Sequence, residues 1–449
     1  MRWRNFLGLL AFESRMLLRA RALWLMLALG SLITGFGFMQ AVALFAEASK
    51  PALSFPELAK GMTPLDGVLV PTFGSWYLVL TLLFPFVAIR ALGQDKQSGA
   101  LKLLLQLPIG EVRIILAKAP AVGVAWALSL LPPLSAVAIW LMLGGHVHAP
   151  ELANLLFGYA LYGLLVSGIA LFAAAITESV ATGAIVTLAF TLGFWVLDFA
   201  GSGSTGLVLE LAHWSATAVL RDFERGLFST PRIVGLVAAS ATLFGLARAW
   251  LHPGTRLAQR LVGSGIVAAL AGAFILAGVS LPFHADVTED RRLSFNPADE
   301  AALKSLPEPL VLTLYLSPED SRLKELNANV LAKLRRLVPT LDVRYGDVGR
   351  LGAVATGGDE RYGMIVYDYA GRHEESRSNS SREILPLIYG LAGITVSPAP
   401  LPDYRGYPLV ADATPAGLWF YAVLPLAAAL GGWFARGGFR FRIRRRSSV

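Results

Sequence analysis

Few residues in this sequence have the types and spacing that catalysis needs. A nucleotide-hydrolysing chain needs a Gly-rich loop ending in Lys-Ser/Thr, whose backbone amides cradle phosphates. The nearest stretch, Gly201-Ser202-Gly203-Ser204, lacks the lysine. The Gly-x-Ser-x-Gly elbow of a serine hydrolase is absent. There is no cysteine, which excludes disulfides, thiolate metal sites and cysteine nucleophiles. His146 and His148 have a spacing that suits a metal on a strand, but no third ligand stands near them. Asp286, Glu289, Asp290 and Arg291 read as a solvated collar beside an apolar run. What remains is one polar, basic segment between two long apolar runs, from Arg90 to Lys118. It opens on Asp95, Lys96, Gln97, Ser98 and Gly99. It continues as an amphipathic helix carrying Leu101, Leu104, Leu105 and Leu107, turns at Pro108-Ile109-Gly110, and restarts at Glu111. A plain connection between packed helices takes ~2–8 residues. This one is far longer and reads as a docking element, so its chemistry is recognition of another chain.

Composition sets the frame for that segment. The 449 residues are 55% hydrophobic and 16% charged, against ~25% charged in soluble domains. The mean hydropathy is +0.57. Apolar residues gather in runs of the length that crosses a bilayer, so the chain is read as a polytopic α-helical membrane protein in contact with lipid. Eight spans are expected: 22–45, 76–89 or a stretch extending outward past Phe73, 119–143, 152–176, 180–199, 232–250, 262–283 and 416–434. Outer loops are expected over 46–75 and 201–231. The formal net charge of +8 follows from lysines and arginines beside the spans, which accounts for it better than nucleic-acid binding. Every short basic loop falls on one side, together with both termini. The positive-inside rule makes that side cytoplasmic, and an outer domain with no cysteine fits a bacterial plasma membrane. The spans hold almost no Asp, Glu or His, which argues against an ion-coupled carrier.

Several elements position this frame. Residues 1–21 alternate arginines with Trp3, Phe6, Leu9, Leu10 and Phe12, the pattern of an interfacial helix. Pro132-Pro133 bends the third span, as a hinge or as a static packing feature. Between spans seven and eight lies a region, 284–415, that reads as a small extracytoplasmic α/β domain. Strands are expected over 309–316, 341–345 and 363–369. Ser317-Pro318-Glu319-Asp320 is a helix start with Ser317 as cap. Leu323, Leu326, Val330, Leu334 and Leu337 form one apolar stripe on that helix. Residues 372–382 read as a polar turn and 384–394 as a short helix.

The basic segment resembles the cytoplasmic coupling element of ABC-2 type transporter permeases. The resemblance rests on Asp95, Ser98-Gly99, Leu101 to Leu105, Leu107-Pro108-Ile109 and Lys118. It departs from the family pattern at Ala100 and Lys102, where Thr and Glu are common. Phe223 to Leu227, with Phe223 and Gly226, resembles the "Phe-x-x-Gly-hydrophobic" signature of that family's outer hairpin. The outer domain resembles the auxiliary subunit of gliding-motility-type ABC transporters. There the resemblance rests on Asp286-Val287-Thr288-Glu289, Leu293-Ser294, Pro309-Leu310-Val311, Tyr315-Leu316-Ser317, Glu383 and Arg405 to Leu409. It is shorter than that family's usual region.

The resemblances imply a six-span permease (1–260), a seventh span (261–283), an outer α/β domain (284–415), an eighth span (416–435) and a basic tail (436–449). They also imply a separate cytoplasmic ATPase that binds ATP and Mg, no cofactor in this chain, a homodimer of permeases, and a periplasmic partner for the domain. Two roles follow: export of a hydrophobic or surface-destined substrate, or a non-transporting complex that transmits force to an envelope or motility partner. A membrane-anchored enzyme or sensor is the third reading, and it has little use for so long a coupling segment.

Overall fold

The computed structural model describes residues 3–106, 110–201, 207–251, 254–279, 283–317, 320–346, 361–397 and 404–437. Among them, eight helical stretches are long and apolar enough to cross a membrane. The chain begins with α1 (Trp3–Leu18) and α2 (Arg21–Ser54). At ~1.5 Å per residue, the 34 residues of α2 outrun a ~30 Å hydrocarbon layer. The expected outer loop over 46–75 therefore shrinks. Phe45, Ala46, Ser49 and Ala52 are buried, and that packing holds α2 helical past Pro51. After α3 (Pro56–Ala59), a π-turn (Leu65–Leu69) leads into α4 (Val70–Leu82). The second span takes the longer of its two expected forms and extends outward past Phe73 as far as Leu65, because Leu65, Val68, Leu69 and Phe73 are already buried.

The chain turns through α5 (Phe84–Ala88), α6 (Arg90–Ser98) and α7 (Ala100–Gln106). The third span is two helices, α8 (Glu111–Ser129) and α9 (Leu131–Met142). The break lies at Leu130, and Pro132 and Pro133 occupy the first turn of α9, where a missing N–H costs little. There follow α10 (Ala149–Ile176), α11 (Val180–Gly201), the short pair α12 (Leu207–His213) and α13 (Ala216–Glu224), β1 (Leu227–Ser229), α14 (Thr230–Leu251) and α15 (Leu257–Val279).

Helix α10 is the central post: 72% of its most apolar stretch is buried, against 6% for α15. Small residues let neighbours close on it. A Cβ on Gly158 would stand 2.4 Å from Phe223, and one on Gly163 2.4 Å from Trp126. Close approach at small residues is how helices pack without a water-driven force between them. Around this post Phe73, Trp76 and Tyr159 form an aromatic core, and Tyr162 shares a hydrogen bond with Thr81.

The domain follows β2 (His284–Asp286). It comprises α16 (Pro297–Lys304), β3 (Leu310–Leu314), α17 (Ser321–Leu326), a π-turn (Asn327–Leu331), α18 (Ala332–Leu337), β4 (Leu341–Tyr345), β5 (Ile365–Tyr369), β6 (Arg372–Ser376) and α19 (Ser381–Ala392). The sheet order is β4-β3-β5-β6. Strands β3 and β4 are parallel, as a helical crossover requires, and the other pairs are antiparallel. Leu310, Leu312, Leu314, Ile365, Tyr367 and Tyr369 share one core with Leu323, Leu326, Val330 and Leu334, while Leu337 packs at its edge. The chain returns through α20 (Ala416–Leu418), a π-turn (Trp419–Val423) and α21 (Leu424–Ala435).

Two local expectations change. The helix after β3 is capped by Asp320, whose side chain accepts from the Arg322 amide, and not by Ser317. Residues 372–376 form β6 and not a polar turn: a strand edge needs only one partner, and β5 supplies it. The two-residue hairpin joining them puts Ala370 at φ 50° and Gly371 at φ 77°. Both left-handed positions favour Asn-Gly, and a left-handed Ala costs about 1–2 kcal/mol. Ala370→Asn is expected to slow amide exchange in β5 and β6 of the full-length protein by about fivefold, measured by hydrogen–deuterium exchange. Unchanged exchange would contradict the turn assignment.

Candidate functional site

One end of the bundle gathers α1, the α6–α7 elbow, the start of α8, the end of α10 and the α14–α15 turn. It is the basic end, carrying Arg15, Arg90, Lys96, Lys102, Arg113 and Arg248. At its centre is Lys118, the residue that closes the segment singled out by sequence. Its side chain is 0% exposed. The ammonium lies 2.9 Å from both carboxylate oxygens of Glu13 on α1 and 2.6 Å from the Ala91 carbonyl on α6. It also donates to Oδ2 of Asp95. An ammonium has three donors, and here they pin three elements to one point. Two carboxylates face one cation, so the cluster is one negative charge in excess when both are ionised. Burial pushes the Glu13 carboxyl above its ordinary range, against the pull of Lys118.

Lys96 makes the second anchor. Its ammonium donates to the carbonyls of Ala175 at 2.9 Å, Thr177 at 2.6 Å and Ala174 at 3.4 Å. These carbonyls at the end of α10 have no partner within their own helix, and a cation suits the helix C-terminus. Burial lowers the Lys96 pKa, with Glu178 opposing. Gly99, at φ 78°, breaks α6 from α7 in the left-handed conformation that glycine tolerates.

The residues singled out by sequence therefore divide. Asp95 and Lys96 point into the bundle and hold the elbow. Leu101 is buried, and Leu104 and Leu105 are half-buried against the same core. Gln97 and Ser98 are exposed, as are Gln94 and Lys102. Among them Leu103 is 67% exposed, an apolar knob on a polar surface. Pro108 lies outside the described residues. Sequence reasoning missed Glu13 as the third member. The available signal was that Glu13 is a lone acid among Arg2, Arg4, Arg15, Arg19 and Arg21.

The opposite end holds the domain. Phe223 is buried, and its carbonyl accepts from Asn154 of α10 at 2.9 Å. Tyr159 donates to the next residue, Glu224, at 2.7 Å. Gly226 has φ 89°, and its carbonyl accepts from the Val287 amide at 3.0 Å. Strand β1 then pairs antiparallel with β2. The α12–α13 hairpin is thereby stitched to the chain entering the domain.

The expected solvated collar is instead a joint. Glu289 lies 2.9 Å from Nε2 of His146 and accepts from the Tyr407 hydroxyl at 2.6 Å. The rings of His146 and Tyr407 stack at 3.6 Å, so His146 is engaged by an acid and an aromatic ring. The Glu289 amide donates to Glu151 at the start of α10. Arg292 reaches Thr63 at 2.9 Å and Asp66 at 2.5 Å. The amide of Tyr407 donates to Met62, and that of Leu409 to Ser49. Charged groups brought together from distant parts of the chain satisfy one another, which no local pattern shows.

Comparison with known proteins finds no matching family model, no matching curated protein and no matching solved structure.

Two outcomes test this geometry. Lys118→Met leaves the buried Glu13 and the half-buried Asp95 without a cation, at a cost of about 3–5 kcal/mol. The triple change Glu13→Leu, Asp95→Asn, Lys118→Met removes the charges together and is expected to recover most of that loss. Thermal unfolding of the purified full-length proteins reads both, and a Lys118→Met protein as stable as the parent would contradict the clamp. At the other end, a Cβ on Gly226 would lie 2.4 Å from Thr288 Cγ2. Gly226→Ala is expected to open the β1–β2 pairing, seen as faster proteolysis near residues 283–293, with unchanged cleavage as the contrary result.

Proposed function

We propose that this chain is the permease subunit of an ABC-2 type transporter, worked by a separate cytoplasmic ATPase. The observation that carries the reading is the double anchoring of the elbow. Asp95 meets Lys118 of the third span, and Lys96 holds the end of the fourth. A partner seated on Gln97, Ser98, Lys102 and Leu103 would push on a short rigid arm fixed to two spans and to α1. The chain brings no phosphate-binding loop of its own, so ATP and Mg would belong to the partner. The basic end is then cytoplasmic and the domain extracytoplasmic, in keeping with the basic residues gathered there. A second copy would face the second ATPase. The substrate class this favours is hydrophobic or surface-destined.

The joint at the domain end supports a second reading, in which nothing is transported. Glu289, Arg292 and Tyr407 tie the domain to α10, to the start of the second span and to the loop after the third. A tilt imposed at the basic end would reach the domain and act on a periplasmic partner.

A tagged full-length chain drawn from its native membrane is expected to bring down a P-loop ATPase. Leu103→Glu, which places a charge at the apolar centre of the contact, is expected to cut that recovery about tenfold. Absence of any ATPase, or equal recovery with Leu103→Glu, would overturn the proposal. Movement of substrate into reconstituted vesicles separates export from force transmission.

A further inference from the structure

A cleft of about 700 Å³ opens at the domain end, between the last turns of α11, the α12–α13 pair and the start of α14. That volume is in the range that holds a small organic ligand. Its two walls differ in kind. On one side are Trp195, Val196 and Phe199 of α11. Their side chains are 50%, 65% and 81% exposed, and the helix carrying them is apolar enough to cross a membrane. On the other side are Arg221 and Arg225 of α13 and Arg232 of α14.

Charge accounting singles out one of these arginines. Arg221 pairs with Asp198 at 2.5 Å, and Arg232 with Asp222 at 2.9 Å. Both acids line the same cleft. Arg225 is exposed. Its amide donates to the Arg221 carbonyl, and its guanidinium makes no hydrogen bond or ion pair among the described residues. Its neighbour Glu224 is taken up by Tyr159, and Glu210 lies outside the lining of the cleft. Among the lining residues three guanidinium groups thus face two carboxylates. Glu224 acts on Arg221 and Arg225 from outside the lining, and inside the cleft the Arg225 guanidinium has no carboxylate of its own. Arg232 also lies over the ring of Trp214, at 5.0 Å from its centre. Tryptophan and arginine together mark the level of lipid headgroups.

We propose that this cleft binds an anionic glycerophospholipid of the leaflet on the domain side. The phosphate sits on Arg225, with Arg221 beside it, and the acyl chains lie along Val196 and Phe199. Guanidinium is suited to phosphate by its planar fork of donors. The exposed apolar wall gives a lipid what a water-soluble phosphate cannot use. A zwitterionic headgroup would bring its own cation next to Arg225 and forfeit the match. This binding does not depend on an ATPase partner.

The test uses the full-length protein in mixed micelles with phosphatidylglycerol or phosphatidylcholine, and counts retained lipid by native mass spectrometry. Phosphatidylglycerol is expected to be retained and phosphatidylcholine not. Arg225→Gln is expected to lower retention about fivefold, Arg225→Lys to keep most of it, and Lys324→Gln, at an exposed position of α17, to leave it unchanged. Millimolar glycerol 3-phosphate is expected not to displace the lipid. Equal retention of both lipids, unchanged retention in Arg225→Gln, or displacement by glycerol 3-phosphate would each overturn the proposal. The last would mean a site for free phosphate and not for lipid.

Discussion

A lysine ammonium cannot be left unpaired inside a protein: moving such an ion out of water costs several kcal/mol even after relaxation. Lys118 is fully buried, so the fold at the basic end must supply its partners. Glu13, Asp95 and the Ala91 carbonyl come from two other helices. None of these helices can shift without separating charges in a low-dielectric setting. The interaction thus fixes position more than it adds stability. Apolar contacts alone would let α1 and α6 slide along α8, since such packing is non-directional. The ion cluster removes that freedom.

From this point the remaining geometry follows in sequence. Asp95 held on Lys118 orients α6, and the next residue, Lys96, is carried to the open carbonyls of α10. Helix α10 is the central post, so the elbow is joined to the most buried element of the bundle. At its other end the same helix receives the domain through Glu151 and the α12–α13 hairpin through Asn154. A continuous chain of hydrogen bonds and packed side chains runs from the exposed elbow to the joint at the domain end. That is the kind of path along which a push at one end can be read at the other. The cleft carrying Arg225 lies beside this path, where α13 packs on α10.

Much of the architecture was legible because its signals are periodic. Long apolar runs mark spans, and the stripe of Leu323, Leu326, Val330 and Leu334 marks a domain helix. The break before Pro132-Pro133 was legible because proline chemistry is local. The ends of spans were not. Helix α2 runs on past residue 46, and the second span, expected to reach past Phe73 in its longer form, starts as far back as Leu65, since both ends are set by burial against distant chain. Strand β6 was hidden because its residues, Arg372 to Ser376, are polar, and only pairing with β5 makes them a strand. At the basic end, sequence pointed to Asp95 and Lys118 as separate marks. It could not show that they touch, nor that Glu13 completes the pair. The joint at the domain end was misread for the same reason: Glu289, His146 and Tyr407 are far apart in the chain and meet only on folding.

The central claim is that the exposed face of the elbow is where a nucleotide-hydrolysing partner engages. The chain has no cysteine, so Leu103→Cys places a single thiol on that face. A thiol-to-amine cross-linker applied to native membranes then reports what lies against it. The expected product joins this chain to a P-loop ATPase, with the thiol reactive only from the cytoplasmic side. A thiol reactive from the domain side, or products containing only further copies of this chain, would contradict the claim.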